Sequence, residues 1–351
     1  MSEQTRETSK GATIMKVAAF ELEGWEREAF ERLREDGCDV ETTPDPLRAE
    51  NVERYRDVEV ISTFMNSRLN AEVLGKLANL KLIATRSTGF DHIDLDHCRE
   101  RGIVVSNVPS YGKNTVAEHT FGLLLMISKR LEEAVDRTRK GDFSFQGLQG
   151  FDLMDKTLGV IGTGDIGRGT IRIAGGFGMK VIAFDVKPDE EAARDLGFEY
   201  VELDRLLRES DIISLHVPAN PQTKDLLGRA EFEKMKHGAV LLNTSRGSVV
   251  TIEAMVQALA SGKLRAAGLD VLPEEPVIRE EAELLRSVYQ ERYDVRTLLA
   301  DHVVSQLRNV VVTPHNAFNT REAVQRILNT TIANIEGFAK GEPANTVGGT
   351  G

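Results

Sequence analysis

Short apolar runs alternate with amphipathic segments along the first third of the chain. Four runs have the length and the β-branched content of buried strands. The predicted strands are 15–20, 58–64, 81–85 and 103–107. The segments between them, such as 24–35 and 70–80, repeat their apolar residues with the period of an amphipathic helix. This alternation predicts a parallel sheet covered by helices.

The same alternation returns in the second half of the chain. Six further strands are predicted, at 157–161, 180–184, 211–215, 239–243, 266–270 and 309–313. The sequence therefore predicts an α/β protein with two doubly wound parallel-sheet domains in tandem. A chain of 351 residues is long enough to build two hydrophobic cores, which agrees with this division.

One helix, predicted at 115–131, differs from the others. It begins with Thr115-Val-Ala-Glu118, the pattern of a capping box, and its apolar residues cover more than one stripe of the helix. A helix of this kind must be buried on several sides, so we predict that a second subunit packs against it. The segment 141–155 contains three phenylalanines without a regular period, and we predict an arm over the neighbouring subunit.

The composition of the chain argues against several kinds of binding partner and favours one cellular compartment. The net charge is −11 and no cluster of Lys and Arg is present, which argues against nucleic-acid binding. The longest fully apolar run, 123–127, is too short to cross a membrane. The polar residues 1–13 predict a disordered tail rather than a signal peptide. Cys38 and Cys98 lack the spacing of a metal site, so we predict a cytoplasmic protein without a metal.

A glycine-rich turn opens the second predicted domain. Gly162, Gly164 and Gly167 form a G-x-G-x-x-G pattern between a strand and a helix, and Asp185 follows the next strand. The first glycine permits a tight turn, the second lets backbone N–H groups approach a pyrophosphate, and the third lets the helix pack closely. The helix N-terminus favours an anion, and the acid accepts hydrogen bonds from a ribose 2′-OH. The whole pattern predicts a dinucleotide site.

Three further polar residues, Arg246, Glu275 and His315, follow predicted strands of the same domain. Because ligands bind beyond the carboxyl ends of such strands, we expect the three side chains at the edge of the glycine-rich turn. A guanidinium holds a carboxylate in two hydrogen bonds, an imidazole exchanges protons near neutral pH, and a neighbouring carboxylate favours the protonated imidazole. Together they predict reduction of a 2-oxo acid, with Arg246 as substrate clamp, His315 as acid and base, and Glu275 as the partner of His315.

Taken singly, these residues also have structural interpretations. Arg246 would then cap a helix or pair with a surface acid, and His315 would bond to the backbone. Among the other histidines, His119 is interpreted as a core residue of the apolar helix and His216 as a structural residue.

At these positions the sequence resembles the D-isomer-specific 2-hydroxyacid dehydrogenases. The shared motifs are Gly-Thr-Gly-Asp-Ile-Gly (162–167), Asn-Thr-Ser-Arg-Gly (243–247), Gly-Leu-Asp-Val (268–271) with Glu-Pro (275–276), Thr-Pro-His (313–315), Ser-Thr-Gly-Phe-Asp-His-Ile-Asp (87–94) and Asn-Val-Pro-Ser-Tyr (107–111). They occur in the order of the family, and the resemblance spans about residues 14–345. Thr-Pro-His-Asn-Ala-Phe-Asn-Thr is most like the D-lactate dehydrogenase branch.

The resemblance implies a role for each matching position. Arg246, Glu275 and His315 match the substrate-binding arginine, the acid that supports the histidine, and the proton donor. The positions that match the binding of the substrate's carboxylate and side chain are Thr88, Gly89, Tyr111 and Phe318. The positions that match contacts to NAD are Gly162, Gly164, Asp165, Ile166, Gly167, Asp185, Val217, Pro218, Thr223, Thr244, Ser245 and Asp270.

The resemblance also implies how the chain is divided. A discontinuous, flavodoxin-like substrate domain comprises 14–113 and 318–345, a Rossmann domain that binds NAD comprises 114–317, and a cleft lies between them. Members of the family are usually dimers, which agrees with the buried helix at 115–131.

The sequence thus predicts an NAD-dependent D-2-hydroxyacid dehydrogenase, with pyruvate and D-lactate as the leading substrate pair. Two alternatives stay open. In one, the enzyme reduces another 2-oxo acid, such as a branched or aromatic one, hydroxypyruvate or glyoxylate. In the other, the fold serves a corepressor or sensor that binds NAD(H), because a fold alone does not decide function. Asp185 predicts a preference for NADH, since an acid at this position repels a 2′-phosphate.

Overall fold

The computed structural model describes residues 14–273, 302–304 and 306–348, and the chain divides into two compact units. The first unit takes in the chain up to Pro109 and again from Val324, and the second spans Ser110–Ala323. Each unit contains a parallel sheet with helices, which confirms the predicted fold class. The predicted domain limits, after 113 and before 318, lie a few residues from the limits of these units.

The sheet of the first unit has five strands in the order β2-β1-β3-β4-β5, all parallel, which is the order of flavodoxin-like folds. The strands are β1 (Lys16–Ala19), β2 (Asp39–Thr42), β3 (Val60–Thr63), β4 (Leu82–Thr85) and β5 (Val104–Ser106), with helices α1 (Arg27–Glu35), α2 (Ala71–Gly75) and α3 (Leu95–Glu100). Four strands overlap the predicted ones. The apolar pattern does not predict β2, because it is an edge strand in which only Val40 is fully buried.

The core of the first unit explains why its central strands were predictable. Every residue of β3 and β4 is buried, so both strands are continuous, largely apolar runs. The C-terminal segment joins the unit beside β5. The Asn107 N–H donates to the Asn345 carbonyl oxygen at 3.0 Å, and the Asn334 side chain donates to the Asn107 carbonyl oxygen at 2.9 Å.

The sheet of the second unit has seven described strands in the order β12-β11-β10-β9-β6-β7-β8. They are β6 (Thr157–Ile161), β7 (Lys180–Phe184), β8 (Glu199–Tyr200), β9 (Ile212–Leu215), β10 (Ala239–Asn243), β11 (Leu264–Leu269) and β12 (Val310–Val312). Six match the predicted strands, and the pattern does not predict β8, an edge strand of two residues. The order from β8 to β11 is that of a Rossmann fold, and it reverses between β6 and β9.

Helices cover this sheet along the chain. They are α4 (Thr115–Lys129), α5 (Leu131–Arg139), α6 (Asp165–Gly176), α7 (Glu190–Leu196), α8 (Leu203–Glu209), α9 (Arg229–Lys234) and α10 (Ile252–Ala260), and α11 (Arg321–Ala339) leads into the first unit. In the described part of the chain, no helix combines the length and the apolar character needed to span a membrane.

The helix predicted at 115–131 is shorter than expected. It ends at Lys129 because Arg130 adopts a left-handed conformation with φ +51°, and α5 follows directly. The predicted capping box is also wrong. Asn114 occupies the N-cap position without a side-chain cap, and its Nδ2 instead donates to Glu118 Oε1 at 3.0 Å.

Candidate active site

The glycine-rich turn connects β6 to α6 where the strand order reverses. Gly162 has a φ of +95°, and a Cβ there would lie 2.4 Å from the His216 carbonyl oxygen, so the turn requires glycine. A Cβ on Gly167 would lie 2.1 Å from the Gly162 carbonyl oxygen, because α6 packs closely on the turn. A Cβ on Gly164 would meet nothing within 4 Å. A ligand can therefore approach the backbone at the N-terminus of α6, where the helix favours a phosphate.

Asp185 directly follows β7, and hydrogen bonds fix its carboxylate beside this turn. The Thr163 N–H donates to it at 2.7 Å, the Thr163 hydroxyl at 3.0 Å and the Lys187 N–H at 2.9 Å. Burial acts to raise the pKa of Asp185, but these donors and the Arg168 guanidinium outweigh it and lower the pKa. The carboxylate is therefore charged at neutral pH and can accept hydrogen bonds from a ribose.

Tyr200, at the end of the edge strand β8, extends the same network. Its hydroxyl lies 2.7 Å from Thr163 Oγ1. An ionised carboxylate only accepts hydrogen bonds, so Thr163 donates to Asp185 and Tyr200 donates to Thr163. The sequence analysis selects neither Thr163 nor Tyr200, because their relation depends on β7 and β8 being neighbours.

The residues of the turn fit an NAD molecule. The open backbone at Gly164 suits a pyrophosphate, and the charged Asp185 suits a ribose with a free 2′-OH. Asp165 and Ile166 begin α6, and the Asp165 carboxylate lies 3.0 Å from Lys113 Nζ.

The loop after β9 contains Val217, Pro218 and Thr223, three residues predicted to contact the cofactor. The Thr223 hydroxyl donates to the Pro218 carbonyl oxygen at 2.6 Å, and the Thr223 N–H donates to Asn220 Oδ1 at 3.0 Å. These bonds hold the loop in a defined shape. The structure therefore gives these residues fixed positions, and their contacts with cofactor stay a prediction.

His216 precedes this loop and carries a half-buried, neutral imidazole. Its Nε2 lies 2.8 Å from Ser214 Oγ, and its Nδ1 has no hydrogen-bond partner among the described residues. Burial lowers the pKa of His216 from 6.5 to about 4. Its backbone N–H donates to the Ile161 carbonyl oxygen at 2.8 Å, so the residue also joins β9 to β6. This supports the structural interpretation of His216.

We expect His216 to make the protein sensitive to mild acid. Between pH 6.5 and about 4 the unfolded chain binds a proton at this histidine that the folded protein does not, so stability falls as the pH falls. The loss should reach on the order of 2–3 kcal/mol. Urea unfolding at a series of pH values measures it. His216→Asn should flatten the acid slope and His237→Asn, at an exposed histidine, should not; an equal slope in both variants would contradict the assignment.

Arg246 follows β10 in a turn that a buried amide organises. Asn243 is 1% exposed, its Nδ2 donates to the Arg246 carbonyl oxygen at 2.9 Å, and its Oδ1 accepts from the Ser245 N–H at 3.0 Å. The Arg246 guanidinium is half-buried and donates to the Ser245 carbonyl oxygen at 2.8 Å. The Thr244 hydroxyl lies 2.9 Å from that of Thr120. The backbone that carries Arg246 is therefore fixed on both sides.

Asp270 directly follows β11 and holds the turn that carries His315. Its carboxylate, 1% exposed, accepts from the Thr313 hydroxyl at 2.6 Å, the Asn316 N–H at 3.0 Å and the Ala317 N–H at 2.9 Å. His315 lies between these donors with a φ of +51°, a conformation that few residues other than glycine adopt. The buried carboxylate thus stabilises an uncommon backbone conformation at the predicted proton donor.

Asp270 is ionised despite its burial. Burial acts to raise the pKa of Asp270, but hydrogen bonds from His119, Thr313 and Ala317 outweigh it and lower the pKa. The sequence analysis assigns Asp270 to the cofactor, which stays a prediction. It does not identify Asp270 as the support of the His315 turn, since that role requires β11 and β12 to be neighbours.

Tyr111 and Phe318 meet in the second unit. Their ring centroids lie 6.5 Å apart at an interplanar angle of 87°, an edge-to-face arrangement. Both rings are half-buried. The structure therefore brings together the two aromatic residues predicted to border the substrate's side chain.

Thr88 and Gly89 belong to the first unit and follow β4. The Thr88 hydroxyl donates to the Val108 carbonyl oxygen at 2.7 Å, and the Asn107 side chain donates to the Thr88 carbonyl oxygen at 2.8 Å. Arg86, two residues before Thr88, is 3% exposed and donates to the Phe20 carbonyl oxygen at 2.6 Å. The segment that carries Thr88 is thus anchored to its own unit on both sides.

The sheet order explains which predicted residues meet. Because β10, β11 and β12 are adjacent and parallel, the residues that follow them, Arg246, Asp270 and His315, lie at one edge of the second sheet. Glu275, the predicted partner of His315, lies outside the described residues. Its role stays a prediction.

Comparison with known proteins agrees with this arrangement. Residues 121–317 match the family described as D-isomer specific 2-hydroxyacid dehydrogenase, NAD binding domain. The D-lactate dehydrogenase of Escherichia coli K12 is 38% identical over 331 residues, which cover 93% of this chain and 98% of that protein. The glyoxylate reductase of Thermococcus litoralis is 36% identical over 310 residues, which cover 86% of this chain and 87% of that protein.

A solved structure gives the same result. The D-lactate dehydrogenase of Aquifex aeolicus, in complex with NAD and lactic acid, superposes with a TM-score of 0.84 at 35% identity, covering 95% of this chain and 100% of that one. The glycine-rich turn, Asp185, Arg246, Asp270 and His315 all fall within the residues that match the family. The chain therefore belongs to the D-isomer-specific 2-hydroxyacid dehydrogenase family.

Proposed function

We propose that this NAD-dependent D-2-hydroxyacid dehydrogenase interconverts pyruvate and D-lactate. The observation that carries the proposal is the turn at His315, which the buried Asp270 holds at the same sheet edge as Arg246. This supports His315 as the proton donor and Arg246 as the carboxylate-binding group, because hydride transfer to a 2-oxo acid requires such groups on rigid supports. The similarity to D-lactate dehydrogenases over almost the whole chain supports pyruvate as the substrate.

In the proposed reaction each residue acts on a defined atom. When bound at the glycine-rich turn, NADH would supply the hydride for the carbonyl carbon. Arg246 holds the substrate's carboxylate in two hydrogen bonds and polarises the adjacent carbonyl. His315, as the imidazolium, donates its proton to the oxygen as negative charge develops there. Glu275 would favour the protonated imidazole, and the backbone of Thr88 and Gly89 would also bind the carboxylate.

The side chain of the substrate should contact the aromatic pair of Tyr111 and Phe318. Two aromatic rings in edge-to-face contact are bulky, which supports a methyl group beside them rather than a large aromatic group. The family also contains the glyoxylate reductase named above, whose substrate is smaller still.

The experiment that tests this proposal is a panel of substrates. Steady-state kinetics with pyruvate, glyoxylate, hydroxypyruvate, 2-oxoisocaproate and phenylpyruvate should give the highest kcat/KM for pyruvate, and chiral chromatography should identify D-lactate. If another acid gave a higher kcat/KM, that acid would be the preferred substrate and the proposal of pyruvate would be wrong. NADH binding without turnover of any member would favour a sensor instead.

The charged Asp185 should make the enzyme prefer NADH over NADPH, because a carboxylate repels a 2′-phosphate. Asp185→Asn keeps an oxygen for the Thr163 N–H but removes the charge. We expect the ratio of kcat/KM values for NADH and NADPH to fall about tenfold in this variant, since juxtaposed like charges are costly. Asp189→Asn, which removes a nearby carboxylate paired with Arg168, is the control. If this ratio changed equally in both variants, Asp185 would not be the residue that selects NADH over NADPH.

We also propose that the enzyme is a homodimer. Four large apolar side chains on α5 and on the segment after it are exposed: Leu131 (45%), Val135 (46%), Phe143 (81%) and Phe145 (85%). A second copy of the chain would cover this surface.

The two cysteines, Cys38 and Cys98, are both free, which supports the proposal of a cytoplasmic location.

Loss of the phenylalanines should therefore weaken association. We expect Phe143→Ser combined with Phe145→Ser to shift the protein from dimer to monomer in sedimentation velocity at micromolar concentration, because the interface loses its most exposed apolar groups. Val186→Ser, at another exposed apolar residue, should leave the dimer unchanged. A stable dimer in the double variant would place the interface elsewhere.

A further inference from the structure

His119, on α4, contacts the two residues that organise the His315 turn. Its Nε2 lies 3.0 Å from Thr313 Oγ1 and 3.5 Å from Asp270 Oδ1. The side chain is 23% exposed, whereas the Asp270 carboxylate is 1% exposed. His119 is therefore the outer member of a buried polar group, and it is more than a core residue of an apolar helix.

The direction of the hydrogen bonds in this group is fixed. Asp270 is ionised and only accepts, so the single hydroxyl proton of Thr313 points to Asp270. Thr313 Oγ1 then has lone pairs but no proton for His119. The contact with His119 requires that Nε2 carries the hydrogen and donates it to Thr313 at 3.0 Å, with Asp270 Oδ1 as a second, longer acceptor at 3.5 Å. A proton on Nε2 is thus part of the folded arrangement.

The chain of contacts ends at His315. Asp270 accepts from the Asn316 and Ala317 N–H groups, which directly follow His315, and the left-handed conformation of His315 depends on these bonds. A shift of Thr313 would displace the Asp270 carboxylate and with it the turn. Catalysis is sensitive to such shifts, because a displacement of about 1 Å can cost on the order of a hundredfold in rate.

We propose that His119 is a positioning residue, which donates a hydrogen bond to Thr313 and thereby orients Asp270 and the turn that presents His315. The inference rests on the proposed role of His315 as the proton donor. His119 belongs to a different element from that turn and lies 194 positions before Thr313 in the sequence, so the contact joins α4 to the loop after β12.

A matched pair of variants tests the proposal. The amide nitrogen of Gln occupies nearly the position of His Nε2, whereas the shorter Asn cannot reach Thr313. His119→Gln should therefore keep kcat within about twofold of the parent, and His119→Asn should lower kcat about tenfold with the NADH Kd little changed. Thr313→Val removes the hydroxyl that contacts His119 and also its hydrogen bond to Asp270, so it should lower kcat at least as much as His119→Asn. The double variant should be no worse than Thr313→Val alone, because His119 acts through the Thr313 hydroxyl, which is already absent there.

Amide hydrogen exchange in the free protein provides a readout that does not depend on activity. His119→Asn should increase exchange of the Asn316 and Ala317 amides about tenfold and leave the strands of the same unit unchanged. The proposal is overturned by equal kcat values for the Gln and Asn variants, by multiplying effects in the double variant, or by unchanged exchange at these two amides. If His119→Asn does not fold, His119→Ala, which also lacks the donor, decides by the same kcat and exchange criteria. Faster exchange with unchanged kcat would show that His119 orients the turn but that His315 is not the proton donor, which separates this inference from the proposed function.

Discussion

Arg246→Lys should lower kcat/KM for pyruvate by on the order of a hundredfold or more, while the NADH Kd stays near that of the parent. Lysine keeps the charge but lacks the planar pair of donors, so it cannot bind a carboxylate in two hydrogen bonds and polarise the carbonyl at once. The structure gives a second reason to expect this loss. The backbone on both sides of Arg246 is held by the buried Asn243 side chain, so a shorter head group cannot be compensated by movement of the turn.

The measurement is steady-state kinetics together with fluorescence titration of NADH. Arg229→Lys, at an exposed arginine 3.1 Å from Glu233, is the control and should leave both values unchanged. A Lys variant of Arg246 within about twofold of the parent in kcat/KM would contradict the role of substrate clamp. A parallel loss of NADH affinity would instead assign Arg246 to the cofactor.

The central elements of the fold were predictable because burial and sequence pattern coincide there. β3, β4, β9 and β10 are buried along their whole length, so each is a short apolar run with helical segments on either side. The edge strands β2 and β8 were not predictable, because β2 keeps polar residues at its exposed positions and β8 has only two residues. The break between α4 and α5 has no signal either, since Arg130 adopts the left-handed conformation without a glycine.

The residues of the candidate site also fall into two groups, those that the sequence predicts and those that it does not. Residues that act from a local motif, such as the glycines of the turn and Asp185, can be found from spacing alone. Residues that act through neighbours from distant parts of the chain cannot. The contact of Thr163 with Tyr200 needs adjacent strands, and that of His119 with Thr313 joins positions 194 residues apart. Each of these hydroxyl or imidazole groups looks ordinary in the sequence.

His315→Asn should lower the rate of pyruvate reduction by on the order of 10²–10⁴, the usual contribution of a positioned general acid. Asparagine is the suitable replacement because it tolerates the left-handed conformation found at this position, with φ +51°. The hydrogen bonds from the Asn316 and Ala317 amides to Asp270 should therefore survive, and the loss should report on the imidazole alone.

Three measurements separate this loss from a general disturbance of the site. The NADH Kd and the thermal unfolding temperature should match the parent, and exchange at the Asn316 and Ala317 amides should be unchanged. His302→Asn, at an exposed histidine, should retain full activity. If His315→Asn kept the parent's rate with these controls in order, another group would have to donate the proton, and the buried carboxylate of Asp270 would then support the turn for cofactor binding rather than for proton transfer.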